Sequence, residues 1–158
     1  LQDLHEIKEQ TIRLQPGDTI LNLVRQVYGS QNTLALVLIK EFNPHINDLD
    51  YVTAGTTILA PSLVKETLLR KQQDGSYRLL LAVFPRAALA QKHADLVRQH
   101  GYSVEVSPAK VAGSLLLYLV EIVGLPNREA GQRAWTFVDV YNVLTVASQP
   151  SENGKQTE

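Results

Sequence analysis

Two short stretches gather the groups best suited to holding a polar ligand. One is Gln15-Pro16-Gly17-Asp18-Thr19 and the other is Asn43-Pro44-His45-Ile46-Asn47-Asp48, closed by Gly55 and Pro61. Two turns set opposite one another present backbone N–H and C=O groups that no helix or strand has used. Gly17, Asp18, Thr19 and Ile20 would then line one side of a shallow recognition groove, and Asn43, Pro44, His45 and Ile46 the other. Each of these residues also has a structural use. Asp18 and Thr19 suit a helix cap, and Pro44 forbids helix continuation. His45 fits a ligand hydroxyl and open solvent equally well.

Other chemistry finds little support in the residue pattern. His93 and His100 stand seven apart on one predicted helix, a separation of about 10 Å, too far to share a metal. Asn47, Asp48 and Asp50 lack the glycine and terminal glutamate of a calcium loop and read as a solvated turn. Ser, His and Asp are scattered without a nucleophile-elbow context, and the groove offers only Asp18 where glycoside hydrolysis needs two carboxylates. The expectation is binding without turnover, with no cofactor and no metal. The absence of cysteine excludes thiol chemistry, disulfides and cysteine metal sites.

The elements that position the groove follow from periodicity and punctuation. Pro16 presets the first corner of a type II turn and Gly17 supplies positive φ at the second. Asp18 or Thr19 then caps a helix with Ile20, Leu23, Val24 and Val27 inward, ended by Tyr28-Gly29. A second helix is predicted over Thr33 to Phe42 with Leu34, Val37, Leu38 and Phe42 inward, stopped at Asn43-Pro44. Short strands flank the pair, Thr11 to Leu14 before and Thr57 to Ala60 after.

The stretch IRLQPGDTILNLVRQVYG…IKEFNPHINDLDYVTAGTTILAP resembles the LysM domain in four ordered elements. These are the P-G-D-T turn, the Y-G after the first helix, the N-P-x-I after the second, and a closing G-x-x-I-x-x-P. The resemblance implies a βααβ fold over residues 9–62 and binding of N-acetylglucosamine-containing glycans, chiefly peptidoglycan strands. Sugars present hydroxyls, an acetamido group and apolar ring faces, which the groove residues would meet with amides and a small apolar wall.

Residues 63–75 read as a linker, with a short amphipathic helix carrying Leu63, Leu68 and Leu69 and a polar end at Lys71 to Gly75. From Ser76 to Ala147 the pattern is strand (Tyr77 to Phe84), helix (Arg86 to His100), strand (Tyr102 to Val106), loop (Pro108 to Gly113), strand (Leu115 to Val123), helix after Pro126-Asn127, and strand (Asn142 to Ala147). The helices turn Ala90, Ala94 and Val97, with Leu89 and Leu96 beside them, and then Ala130, Ala134 and Val138, inward. The order βαββαβ is ferredoxin-like: a four-stranded antiparallel sheet with the first and third strands central. Residues 148–158 are too polar to bury and read as a disordered tail. The whole chain is of the α+β class.

YRLLLAVFPRAALAQKHADLVRQHGYSVEV…LLYLVEIVGLPNREAGQRAW resembles a SPOR domain, a family with this topology implicated in binding peptidoglycan stripped of stem peptides. The family's first-strand glutamine and glycine are here Leu80 and Ala82, and its third-strand arginine is Leu119. The polar sugar-contacting residues are therefore missing. With Leu79, Leu81 and Val83 against the helices, Leu80, Ala82, Leu117 and Leu119 fall on the other sheet face, which would be apolar. Such a face is expected to be covered, by the linker helix, by a second copy or by a protein partner. A one-residue slip in register would exchange the two faces. Arg78 is the one polar group on that face placed to touch a glycan, while Trp135 and Tyr141 read as core.

The alternative to a wall-binding module is therefore a protein-interaction or self-association module using that apolar face. With 15 basic against 16 acidic side chains, the charge balance gives no electrostatic footprint for nucleic acid. No apolar run is long enough for a membrane span. Methionine is absent and the chain opens on Leu1, so it reads as part of a longer protein. The family pairing implies a periplasmic or cell-envelope location, tethered by an upstream segment.

Overall fold

The computed structural model describes residues 9–29, 32–113 and 115–141. The protein is mixed α and β, with five helices and two antiparallel sheets among the described residues. It divides into two compact units: Leu1–Thr67 with Pro108–Leu117, and Leu68–Ser107 with Tyr118–Glu158.

In the first unit, β1 (Glu9–Arg13) pairs antiparallel with β2 (Thr57–Pro61), with Thr11 opposite Leu59. Between them lie α1 (Ile20–Tyr28) and α2 (Asn32–Phe42). Ile20 and Val24 of α1 are buried, and Leu34 to Ile39 of α2 are all buried. Val27, expected inward, is exposed. Tyr28 at the end of α1 donates its phenol proton to the Pro61 carbonyl at 2.6 Å. Burial pushes that phenol up to about 12 from 10.0. The ionised form would lose both solvation and the hydrogen bond.

In the second unit, α3 (Lys65–Leu68) runs across the unit boundary into β3 (Leu69–Lys71), followed by β4 (Tyr77–Phe84) and α4 (Ala87–Arg98). Next come β5 (Val104–Ala112), β6 (Leu115–Leu125) and α5 (Arg128–Tyr141). The sheet order is β3-β4-β6-β5, so the first and third of the predicted strands are central. Ala90, Ala94 and Val97 of α4 are buried, as are Ala130, Ala134 and Val138 of α5. Asn127 caps α5, its side-chain oxygen accepting from the Ala130 N–H at 2.9 Å.

Three expectations need correction. The linker helix is only four residues long, and the polar stretch after it is the turn of a β3–β4 hairpin. Asp74 accepts from the Ser76 N–H and hydroxyl there, which holds its carboxyl below the usual range. Strand β3 flanks β4 on the side away from β6, so it is the observed fourth strand; the predicted last strand and the tail lie outside the described residues. The predicted loop at Pro108 to Gly113 is mostly strand, because β5 runs on to Ala112. The tip Pro108–Leu117 groups with the first unit, so the division at residue 62 is not a simple cut.

The apolar sheet face, offered as a possible interface, is covered as expected, and from within the chain. Leu80 and Ala82 are 0% exposed, Leu117 1% and Leu119 7%, all covered by the chain itself. They form no open interface. Leu79 to Val83 are consecutively buried, as in a strand covered on both faces. Two register shifts between β4 and β6 also break the simple alternation on which the face assignment depends.

Candidate functional site

The first turn forms as expected. Asp18 N–H donates to the Gln15 carbonyl at 2.9 Å, and Gly17 takes φ 91°. The cap belongs to Thr19, whose Oγ1 accepts from the Asn22 N–H at 3.1 Å. Asp18 instead turns back, its Oδ2 accepting from the Gln15 N–H at 2.7 Å. Gly17, Asp18 and Thr19 are exposed and Ile20 is buried. Both polar side chains of this turn therefore hold the turn itself.

On the opposite side, Asn43 is 1% exposed. Its Nδ2 donates to the Ile39 and Leu59 carbonyls at 2.7 and 2.9 Å, and its Oδ1 accepts from the Leu59 N–H at 2.9 Å. The amide thus fastens the end of α2 to β2, with both N–H donors and the oxygen engaged. Asn43 cannot contact a ligand through that side chain, and Ile46 is likewise buried. Pro44 and His45 remain exposed.

From Asn43 to Thr56 the chain folds as three successive turns. Ile46 N–H donates to the Asn43 carbonyl at 2.9 Å, Tyr51 N–H to the Asp48 carbonyl at 3.0 Å, and Thr56 N–H to the Thr53 carbonyl at 3.1 Å. Pro44 sits at the second position of the first turn, where its fixed φ is favourable. Gly55 sits at the third position of the last, with φ 91°. That last turn is tied to the sheet at Leu14, which accepts from Gly55 N–H at 2.8 Å and donates to the Thr56 carbonyl at 2.9 Å.

The three turns enclose an open cavity of about 410 Å³ lined by residues from each, including His45, Asn47, Asp48, Tyr51, Thr53 and Thr56. Tyr51 is 83% exposed on its rim. Thr53 and Thr56 bring their hydroxyls to 3.5 Å of one another. The arrangement offers an aromatic face, an imidazole, an amide and two hydroxyls within one depression.

The predicted groove is thus split. Ile20 lines a separate, apolar cavity of about 410 Å³ with Leu21, Leu36, Leu49 and residues of the β5–β6 tip, whereas His45 and Ile46 line the three-turn cavity. Tyr51, Thr53 and Thr56 were not singled out from the sequence. The signal was present: Asn43, Asp48 and Thr53 recur every five residues, and Asn and Asp favour the first position of a turn.

In the second unit, Arg78 is held by carboxylates. Its Nη2 meets Glu105 at 2.6 Å and its Nη1 meets Glu121 at 2.8 Å, while Arg70 approaches Glu121 at 3.5 Å. Burial alone would lower the Arg78 pKa, but the bonds and charges of the two glutamates raise it overall. Arg70 lies directly across the sheet from Arg78, and the 2% exposed Glu121 relieves that like-charge pairing. Arg78 is committed to the sheet. His93 and His100 each pack on a different ring, Phe84 at 5.5 Å and Phe137 at 5.0 Å. Trp135 is half-buried, and the Tyr141 side chain lies outside the described residues.

Among the described residues no cluster of three or more His, Asp or Glu side chains is gathered to hold a metal ion, and no helix is long and apolar enough to cross a membrane. No protein-family model matches the chain, and no curated protein or solved structure matches it significantly.

Proposed function

We propose that this chain is a non-catalytic module that binds N-acetylglucosamine-containing glycans, peptidoglycan strands in particular, through the three-turn cavity. The observation that carries this reading is the exposed Tyr51 ring beside the imidazole, amide and hydroxyl groups of His45, Asn47, Thr53 and Thr56. An aromatic face suits the apolar face of a pyranose, and the polar groups suit its hydroxyls and acetamide. The LysM-like order β1-α1-α2-β2 supports the same ligand class. The reading is of binding without hydrolysis, since the cavity lining carries one carboxylate, Asp48, where glycoside hydrolysis ordinarily uses a pair.

The SPOR-like order in the second unit supports the same envelope setting. Its apolar strand residues and the engaged Arg78 leave glycan binding to the first unit. A periplasmic or envelope location behind an upstream tether is part of the proposal. The competing reading, protein interaction or self-association, loses the Leu80–Leu119 face to burial; exposed apolar side chains such as Leu89 and Leu96 on α4 remain to it.

Co-sedimentation with purified sacculi tests the proposal. The intact chain is expected in the pellet, and Tyr51→Ala and Thr53→Ala/Thr56→Ala in the supernatant. Intact chain that stays soluble, or variants that pellet like it, would overturn the reading.

A further inference from the structure

The middle turn of the binding cavity is gripped by a segment distant in sequence. Asp48 Oδ1 accepts two hydrogen bonds, from the Asp50 N–H at 2.9 Å and from the Gly113 N–H at 2.8 Å. Leu49 N–H donates to the Val111 carbonyl at 3.0 Å. Leu49 and Val111 are both buried. Leu49 and Asp50 then line the apolar cavity together with Ala112, Leu115 and Leu116 of the same tip.

Gly113 fits this contact for two reasons. Its φ is +53°, and a Cβ built on it would strike the Asp50 carboxylate. A side chain there would face backbone strain and would push the Asp50 carboxylate aside.

These contacts alternate along the chain with the residues that line the three-turn cavity. His45 to Asp48 and Tyr51 to Thr53 face the cavity, and Leu49 and Asp50 meet the tip. Without the tip, the middle turn would keep its single Tyr51-to-Asp48 backbone bond and the Asx bond within Asp48–Asp50. A loop so lightly held must be ordered when ligand arrives, at a cost in conformational entropy for each residue fixed.

We infer that the β5–β6 tip is a clamp that preorganises the glycan cavity, with Asp48 and Gly113 as its positioning residues. The clamp acts on Tyr51 by fixing the turn that ends on it. Its effect on affinity rests on the glycan reading above; its effect on the loop does not. The Asp48 acceptor oxygen, rather than the negative charge, is the working group, because both of its partners are neutral backbone amides.

The test uses the full chain with Asp48→Ala, Asp48→Asn and Gly113→Ala, and two readouts. Amide hydrogen exchange without ligand is expected to speed up over residues 51–56 in Asp48→Ala and Gly113→Ala, while Asp48→Asn, which keeps the acceptor oxygen, exchanges like the parent. Calorimetry with a short N-acetylglucosamine oligosaccharide is expected to show about tenfold weaker binding for Gly113→Ala, whose residue lies outside the cavity lining. Unchanged exchange in both Asp48→Ala and Gly113→Ala would overturn the clamp. So would an Asp48→Asn variant as loose as Asp48→Ala. If the parent chain fails to bind the oligosaccharide while exchange responds as expected, the glycan reading fails and the clamp stands.

Discussion

The turn at Gln15–Thr19 and the loop at Asn43–Thr56 contain the same kinds of residue and use them differently. In the first, Asp18 and Thr19 both accept from backbone N–H groups of their own turn and helix. In the second, Asn43 carries that structural duty from a buried position, bonding to Ile39 and Leu59. His45, Asn47, Asp48, Tyr51, Thr53 and Thr56 of the loop line a common cavity. A polar residue at a chain reversal is available for recognition only when another residue already satisfies the backbone. The long loop has room for that division of labour, and the five-residue turn does not.

The contrast is broken most severely at Asn43. Asn43→Ala leaves the half-buried Leu59 N–H and the Ile39 and Leu59 carbonyls without their side-chain partner. A loss of about 3 kcal/mol is expected in denaturant unfolding. A loss under about 1 kcal/mol would mean that Asn43 is free for another role.

Tyr28 gives the next effect, through pH. Its folded pKa of about 12 lies above the ordinary 10.0, so the folded chain holds this proton more tightly than the unfolded chain. The associated stability is fully present below pH 10 and is lost as pH rises toward 12. Tyr28→Phe should cost about 1 kcal/mol at neutral pH and flatten that alkaline decline, as read by thermal melts across the range.

Thr19→Ala should cost about 1 kcal/mol through loss of the α1 cap and leave glycan affinity unchanged. The affinity is the sharper readout, since a first turn that touches sugar would lose both. Tyr51→Ala sits at the small end for stability, within about 0.5 kcal/mol, because its ring is solvent-exposed. Its effect falls on binding instead. That pairing of opposite outcomes at Thr19 and Tyr51 is what distinguishes the two regions.

Much of the fold was legible because local rules and packing agree. Pro16-Gly17, the Thr19 cap, the Asn43-Pro44 stop and the inward alanines of α4 and α5 follow from turn chemistry and helical period, whereas α1 leaves Val27 exposed and α2 buries six consecutive residues. Strand β3 was not legible: Leu69–Lys71 is three residues long and owes its state to pairing with β4. Pro108 reads as a strand break, yet β5 is the sheet edge, where a missing N–H is tolerated. Of the site, His45 could be read from the N-P-H-I turn. For Tyr51, Thr53 and Thr56 the one signal is the five-residue recurrence of Asn43, Asp48 and Thr53, and it shows their convergence only once three turns fold in succession. The grip of Gly113 on Asp48 joins residues 65 apart and leaves no local trace.

The central claim is that the loop, and not the first turn, receives the sugar. Backbone amide shifts followed during titration with a short N-acetylglucosamine oligosaccharide test it residue by residue. The account predicts saturable shifts at His45, Asn47, Tyr51, Thr53 and Thr56, with Gly17, Asp18 and Thr19 unmoved. Shifts confined to Gly17–Thr19, or none at any concentration, would contradict it.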